Sequence, residues 1–285
     1  MLWILSILIV SGCVLGGYTA SGGHLSGLWQ PSELLIIIGS AIGALLLSTT
    51  LESIKSLPGA LGRLFSGPRY KKDSYTELLT VMYAVFKNIR SKGILEIEKH
   101  VEAPKESSIF SAFPHFVADE AALTFLCDYL RMLTMGTDSP TEVEAVLDEE
   151  IETMHEQAMS IPTVLQNIAD GLPALGIVAA VLGVIHTMGA ISQPPEVIGN
   201  LIATALVGTF AGILLSYGFV GPMSAGMKAI GSTDLKYFEA MKSGIVAHMH
   251  GYPPSVSVEF ARKTIYHENR PSFYEIEQAI DAVSV

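Results

Sequence analysis

Two prolines stand inside long apolar segments of the chain. Pro173 lies in "ADGLPALGIVAAVLGVIHTMG" (169–189), and Pro222 closes "ALVGTFAGILLSYGFVGP" (205–222). A proline inside a helix removes one backbone hydrogen bond and frees a carbonyl, which costs about 3 kcal/mol unless neighbouring groups satisfy it. If both segments are helical, the pair predicts a hinge or a gate. Prolines without such a role are also common in transmembrane helices, so neither residue decides the matter alone.

Titratable side chains are scarce in these segments. Between Gly171 and Met188 the one ionisable group is His186, which we expect to be an exposed or structural histidine near one end of its segment. Residues 197–227 contain no Asp, Glu, Lys, Arg or His, and Glu33 is the only acidic residue before Glu52. None of the apolar segments is predicted to supply a carboxylate, so the carrier of any transported charge must be sought elsewhere.

The signatures of common enzymes are absent from the sequence. It has no phosphate-binding glycine loop, no histidine pair at i, i+4 and no nucleophile elbow. The eight histidines are scattered, and Cys13 and Cys127 are far apart, so we expect no metal site, no disulfide and no cofactor. A net charge of −11 gives no support to nucleic-acid binding. The chain is therefore predicted not to be an enzyme.

Four apolar segments are long enough to cross a membrane, which takes about 20 residues of helix. These segments are 2–20, 33–51, 170–189 and 198–222. All 17 Lys and Arg residues lie outside them, from Lys55 to Arg131 and from Lys228 to Arg270, which places both charged stretches and both termini in the cytoplasm. The predicted fold class is an all-α integral membrane protein with four transmembrane helices and a cytoplasmic helical domain inserted between spans 2 and 3. The first span is expected to be retained rather than cleaved as a signal peptide.

The charge pattern divides the chain into four predicted segments. They are transmembrane helices 1 and 2 (1–51), a cytoplasmic helical domain with an interfacial helix (52–169), transmembrane helices 3 and 4 (170–226) and a cytoplasmic C-terminal helical tail (227–285). The amphipathic stretch after span 2 either lies in the membrane interface or is an ordinary core-facing helix. In the cytoplasmic domain, Gly93 is predicted to end a helix. Ser139, Pro140 and Glu142 form a predicted helix start with a capping box.

Small residues repeat along one face of spans 3 and 4. Gly176, Ala180, Gly183 and Thr187 share a face of the third span, and Thr204, Gly208, Gly212 and Ser216 recur every four residues in the fourth. Small residues on one face let helices approach closely in lipid. Close helix packing is therefore the simplest interpretation of most of these positions.

The fourth span resembles the signature of the MotA family of flagellar stator subunits, which reads Ala-Leu-x-Gly-Thr-Phe-x-Gly-x-Leu, seven residues, then Pro. It matches "ALVGTFAGILLSYGFVGP" (205–222) here. The third span is similar to that of the family, and further landmarks agree along nearly the whole chain. These are "GGYTASGG", "QPSELLIIIGSAIG", "LDEEIE" and "HGYPPSVSVEFARKTIY".

The resemblance implies a ring of this chain, a homo-oligomer understood as a pentamer, in the lipid of the bacterial inner membrane. The ring surrounds a MotB-like one-span partner whose aspartate binds the driving ion, so the missing carboxylate belongs to another chain. Pro173 and Pro222 match the family prolines that couple ion flow to conformational change, and Thr209 matches the signature threonine of the ion path. Its alternative is a hydroxyl bonded to its own helix. Ala180 stands where sodium-type relatives carry threonine, so the implied ion is the proton.

The resemblance also implies a contact with the rotor protein FliG. Arg90 and Glu98 match the charged pair of the family that faces the rotor, and Glu150 is a further candidate for this surface or for assembly. An alternating-charge, solvated face explains Arg90 and Glu98 without a partner, and the solubility of a capped helix explains Glu150. Charge complementarity suits transient contacts better than tight ones.

Three alternatives remain open at this point. An ExbB- or TolQ-like energiser of outer-membrane processes belongs to the same superfamily, but has one span before its cytoplasmic segment rather than two. A secondary transporter that binds its own substrate would place ionisable or unwound polar sites at the midplane. A structural membrane scaffold explains the small-residue faces but not the two prolines within the full signature.

Overall fold

A computed structural model describes residues 2–136 and 139–282 of the chain. Met1, residues 137–138 and residues 283–285 lie outside the described residues, and with them the outer ends of the predicted segments 1–51 and 227–285. Within the described ranges every regular element is helical, as predicted. The helices are α1 (Leu2–Ala20), α2 (Leu25–Leu28), α3 (Pro31–Ser48), α4 (Leu51–Ser66), α5 (Lys72–Lys92), α6 (Leu95–Glu102), α7 (Pro114–Ala118), α8 (Glu120–Thr134), α9 (Pro140–Gly189), α10 (Pro195–Ile213), a π-helical segment (Leu214–Val220), α11 (Gly221–Met249), α12 (Pro254–Thr264) and α13 (Phe273–Ala282), with 3₁₀ turns at Pro104–Glu106 and Phe110–Ala112.

Four helical stretches are long and apolar enough to cross a membrane, which confirms the four predicted spans. They are Trp3–Ala20, Leu25–Ser48, Pro140–Gly189 and Pro195–Met249. The predicted end of the second span was wrong, because α3 ends at Ser48 and not at residue 51. Thr50 starts a new helix there, since its side chain accepts a hydrogen bond from the backbone N–H of Ser53.

The chain forms two compact units. The first unit contains the residues up to Gly67 together with Gln157–Ile230, and the second unit contains Pro68–Glu156 together with the residues from Gly231 onwards. Helices α9 and α11 contribute residues to both. The two units are defined by how the residues pack and not by the position of a membrane. The predicted division into segments at 51, 169 and 226 therefore stays a prediction.

The first unit is held by two small apolar clusters. Ile37 and Ala41 of α3 pack with Leu172, Ala179 and Ala211. The second cluster joins α4 to α9 and α11, through Leu64, Ile161, Leu165 and Met227. The apolar side of α4 therefore faces protein, as the core-facing alternative for this stretch expects. Large apolar side chains elsewhere on the spans stay exposed, Leu47 by 92% and Leu35 by 74%, which suits a lipid environment.

The second unit has a conventional core of buried apolar and aromatic side chains on α5, α8, α11 and α12. The rings of Tyr70 and Tyr237 stack at a centroid distance of 3.8 Å. The predicted helix boundaries here are confirmed. Gly93 follows α5 with a φ of 89°, and the Ser139 hydroxyl accepts from the Glu142 N–H at 3.4 Å, where α9 begins at Pro140.

Candidate functional site

Pro173 lies within the continuous helix α9, half-buried, and its missing N–H frees the carbonyl of Ala169 one turn earlier. A side chain from another helical segment satisfies that carbonyl. The Ser216 hydroxyl, 1% exposed, donates to the Ala169 oxygen at 2.5 Å. The cost of the proline is thus offset by a bond between two spans.

Pro222 follows an irregular stretch of the fourth span. Between α10 and α11 the backbone winds as a π-helix over Leu214–Val220, where the N–H of Gly221 bonds to the carbonyl of Ser216. Proline is a frequent cause of such local rewinding, since it removes a donor from the ladder, and π segments often occur at functional sites. Ser216 therefore takes part both in the π segment before Pro222 and in the bond that repairs the Pro173 gap. One residue thus contributes its hydroxyl to the carbonyl freed by Pro173 and its backbone carbonyl to the π segment that precedes Pro222.

The small-residue faces of α9 and α10 pack against each other, as predicted. A Cβ placed on Gly176 would lie 2.8 Å from the Gly208 carbonyl oxygen, and one on Gly183 would lie 2.6 Å from the Ala205 Cβ. Thr187 donates to the Gly183 carbonyl at 2.8 Å, within its own helix. Since a Cβ would collide with the opposite helix at these two positions, only glycine fits there without a shift.

Ala180 and Thr209 lie beside this packed face, and both are half-buried. The backbone nitrogen of Ala180 is 3.4 Å from a Cβ built on Gly208, and the Cα of Thr209 is 3.3 Å from one built on Gly176. In the described part of the chain the Thr209 hydroxyl makes no hydrogen bond, so the alternative of a bond to its own helix is not observed. The structure thus brings Pro173, Ala180 and Thr209 together on one helix pair, while the ring of Pro222 is exposed.

The expectation that no span supplies a carboxylate was wrong. Glu33 lies in the first turn of α3 and is only 5% exposed. Its Oε2 lies 2.8 Å from a Cβ built on Gly208, and its Oε1 lies 3.6 Å from one built on Gly183. The glycines of the α9 and α10 face therefore leave room for a carboxyl group from a third helix.

The predicted rotor-facing residues lie in the second unit. Arg90 is exposed in the last turn of α5 and Glu98 is exposed in the first turn of α6, on the two sides of Gly93. Neither forms an ion pair within the described residues. Burial and, secondly, the Arg90 charge lower the pKa of His248 to about 4. That imidazole stacks on Phe86 at 4.4 Å and is neutral at physiological pH.

Glu150 has a structural contact that the sequence did not indicate. It is exposed, yet one carboxylate oxygen accepts a hydrogen bond from the Tyr129 hydroxyl at 2.6 Å. Burial, together with this bond, raises the pKa of Tyr129. Glu150 thus ties α9 to α8, and the same carboxylate faces solvent.

Sequence reasoning missed the burial of Glu33 and the bonds that Ser216 and Ser224 make to another helix. Ser224 donates to the Pro162 carbonyl at 2.7 Å, a second hydroxyl bond from the fourth span to α9. Both serine bonds join residues far apart in the chain, so no local pattern indicates them. The one available signal was the presence of two serines in an otherwise apolar stretch. Within the described ranges, no three His, Cys, Asp or Glu side chains are grouped to hold a metal ion.

The fold and the site define a polytopic helical membrane protein whose third and fourth spans pack through glycines and each carry a proline. Residues 4–93 match the family described as Motility protein A N-terminal, and residues 118–239 match the MotA/TolQ/ExbB proton channel family, which is not an enzyme family. Motility protein A of Salmonella typhimurium is 42% identical over 284 residues, covering 99% of this chain and 96% of that protein. The chain therefore belongs to the motility protein A family, as the sequence resemblance predicts.

Two solved structures share this fold. The C. jejuni MotAB structure matches with a TM-score of 0.75 and 21% identity, covering 95% of this chain and 98% of that one. The flagellar MotAB stator complex of Bacillus subtilis matches with a TM-score of 0.72 and 23% identity, covering 90% and 92%.

Proposed function

We propose that this chain is a stator subunit of the bacterial flagellar motor. With a MotB-like partner it forms a proton channel that converts the ion-motive force into torque on the rotor. The observation that carries this is the 42% identity to a motility protein A over 99% of the chain. The separate match of residues 4–93 to the N-terminal family of these proteins favours a stator over an ExbB- or TolQ-like energiser.

The assembly we propose is a ring of five copies in the lipid of the inner membrane, around the spans of the partner. Both termini and the segments 52–169 and 227–285 lie in the cytoplasm, while 1–51 and 170–226 carry the spans. The distribution of Lys and Arg supports this orientation. No Lys or Arg occurs in the connections at 21–32 and 190–197, which then face the periplasm.

The ion path we propose runs along the α9 and α10 pair. Ala180 and Thr209 line this path, and the partner supplies the ion-binding aspartate. Pro173 and Pro222 couple the ion flow to a conformational change. The Ser216 bond to the Ala169 carbonyl supports this division of roles, because it joins the carbonyl freed by Pro173 to the π segment that precedes Pro222. Alanine at position 180 offers no side-chain oxygen to a sodium ion, which favours the proton.

Genetic complementation tests both the function and the ion. A strain lacking its own stator keeps its flagella but does not swim, and we expect the gene for this chain, expressed with its MotB-like partner, to restore swimming. Swimming speed should be unchanged when potassium replaces sodium, and should fall when a protonophore removes the proton gradient. Sodium-dependent swimming would contradict the proton assignment, and failure to restore swimming would contradict the stator assignment.

Arg90 and Glu98 form the rotor contact that we propose with FliG, with Glu150 at its edge. Both members of the pair are exposed, and both are without an ion pair in the described ranges. Exposed charge pairs contribute about 0.2–1 kcal/mol each, so one such contact holds weakly and releases readily.

Charge reversal tests this contact. Arg90→Glu and Glu98→Lys are each expected to slow swimming, and to do so more strongly together, because each removes an attraction and adds a repulsion. Reversed charges on the rotor protein should restore speed. Lys105→Glu with Glu106→Lys, at two exposed positions of the same unit, is the control pair. Normal swimming of the Arg90→Glu, Glu98→Lys double variant would count against the contact.

A further inference from the structure

Among the described residues of the first unit, Glu33 is the one buried carboxyl group, and it lies beside an apolar cluster. One turn further along α3, Ile37 is fully buried in the cluster formed with Leu172, Ala179 and Ala211. The faces of α9 and α10 that meet Glu33 include Gly183 and Gly208. These contacts include no positive charge.

The carboxyl group is also incompletely hydrogen-bonded. Its Oε2 is fully buried and has no hydrogen-bond partner within the described residues. The titratable groups at this end of the neighbouring elements are His186 on α9, Glu196 on α10 and His24 before α2, and all three are exposed. None of them pairs with Oε2 of Glu33 in the described ranges. An ionised carboxylate in such a place would cost several kcal/mol of desolvation with no compensating charge.

We propose that Glu33 is a proton-binding site of this chain. Its Oε2 takes up one proton from water at the connection before α3, the carboxylate becomes a neutral carboxylic acid, and the reverse step returns the proton. Glu33 is two residues from the start of α3, about 3 Å along the axis at 1.5 Å per residue, so the aqueous face is near. An intramembrane ionisable group with this burial and no partner serves proton or ion movement more often than packing.

Proton binding by Glu33 does not depend on the proposed function. The use of that proton for transport does rest on it. The proton bound by Glu33 would lie next to the Ala180 and Thr209 face, at a site separate from the aspartate of the partner. Gly208 fixes its position, because any larger residue there would displace the carboxyl group.

Infrared spectroscopy of the purified full-length chain tests the site without reference to motility. At neutral pH the wild type should show the carbonyl band of a protonated carboxylic acid, with a shift in heavy water, and Glu33→Gln should lose that band. Glu196→Gln, which removes an exposed carboxylate from α10, is the matched control and should retain it. A band that persists in Glu33→Gln would overturn the proposal. A band that disappears when sodium replaces potassium would also overturn it, in favour of a sodium site.

Gly208→Ala is a second variant that tests the site if Glu33→Gln does not fold. It retains the carboxyl group but places a methyl 2.8 Å from the position of Oε2, so it should move the band without removing it. Gly199→Ala, where a Cβ has nothing within 4 Å, should leave the band unchanged. An unmoved band in Gly208→Ala would contradict the placement of Glu33.

Swimming in the complemented strain then separates the two proposals. Loss of swimming in Glu33→Gln, with the band also lost, supports a transport role for the site. If Glu33→Gln loses the band but swims normally, Glu33 binds a proton outside the transport path. That outcome overturns only the transport role. If the wild-type chain shows the band but does not restore swimming, the stator function fails while the proton site stands.

Discussion

Alanine at Gly212 or Gly176 is expected to disrupt the packing of the third and fourth spans and to abolish swimming. A Cβ on Gly212 would lie 2.6 Å from the Leu172 carbonyl oxygen and 2.9 Å from the Gly176 Cα. These are backbone atoms, so the collision cannot be relieved by turning a side chain. Overpacking of this kind costs about 1–3 kcal/mol or more. The measurements are the thermal unfolding midpoint of the purified chain and the swimming speed of the complemented strain.

The chain offers matched controls on the same two helices. A methyl group added to Gly171 of α9 or to Gly199 of α10 would meet nothing within 4 Å. Alanine at these sites should be neutral or slightly stabilising, because alanine is favoured over glycine in a helix by about 1 kcal/mol. If Gly212→Ala unfolds no earlier than Gly199→Ala, the close approach of the two helices is wrong.

Pro173→Ala is expected to make the chain more stable and the motor inactive. The new N–H at position 173 restores the helix bond to the Ala169 carbonyl and removes the clash of the proline ring. The gain should be smaller than the about 3 kcal/mol of an uncompensated proline, because Ser216 already donates to that carbonyl. It also removes the break in backbone hydrogen bonding at this position. We propose that the coupling of ion flow to conformational change depends on that break. A higher unfolding midpoint together with loss of swimming is the expected combination. An active Pro173→Ala motor would contradict the coupling role.

A double-mutant cycle tests the link through Ser216. Ser216→Ala leaves the Ala169 carbonyl without its donor and should cost about 1 kcal/mol, the scale of buried interhelical hydrogen bonds in membranes. In the Pro173→Ala background the carbonyl has a backbone donor again, so the same substitution should cost much less.

Ser224→Ala is the control for this cycle, since Ser224 is buried too and donates to a different carbonyl of α9, that of Pro162, which Pro173 does not free. Its cost should be the same with Pro173 and with alanine at that position. Equal costs of Ser216→Ala in the two backgrounds would show that Ser216 does not compensate for Pro173.

Much of the fold follows from the sequence, because lipid demands long apolar helices whose backbone groups are satisfied internally. The four spans, the helix ends at Gly93 and the cap at Ser139 each depend on a local pattern, and the structure has them where the patterns are. The small-residue faces are also predictable, since spacings of three and four place glycines on one side of a helix. The end of α3 was misjudged because Leu51 is apolar, although Thr50 before it is a good helix cap.

The missed parts of the site depend on contacts between distant residues. An acidic residue in the first turn of a helix has an ordinary explanation in the helix dipole, so Glu33 gave no sign that α9 and α10 bury it. Ser216 is equally inconspicuous, because a serine in a span commonly bonds to its own helix. Its bond to a carbonyl 47 positions away requires the packed structure.

The π-helical segment also changes which residues of the fourth span share a face of the helix. Ser216 lies inside the π-helical segment and Ser224 lies after it, and both are buried and bond to α9. A π-helix has i→i+5 bonds and therefore takes more residues per turn than the 3.6 of an α-helix. A single helical wheel drawn from Pro195 onwards would therefore misplace the residues after Val220. Scanning mutagenesis of this span should be interpreted with two wheels, one ending before Leu214 and one beginning at Gly221, with the angular offset between them left free.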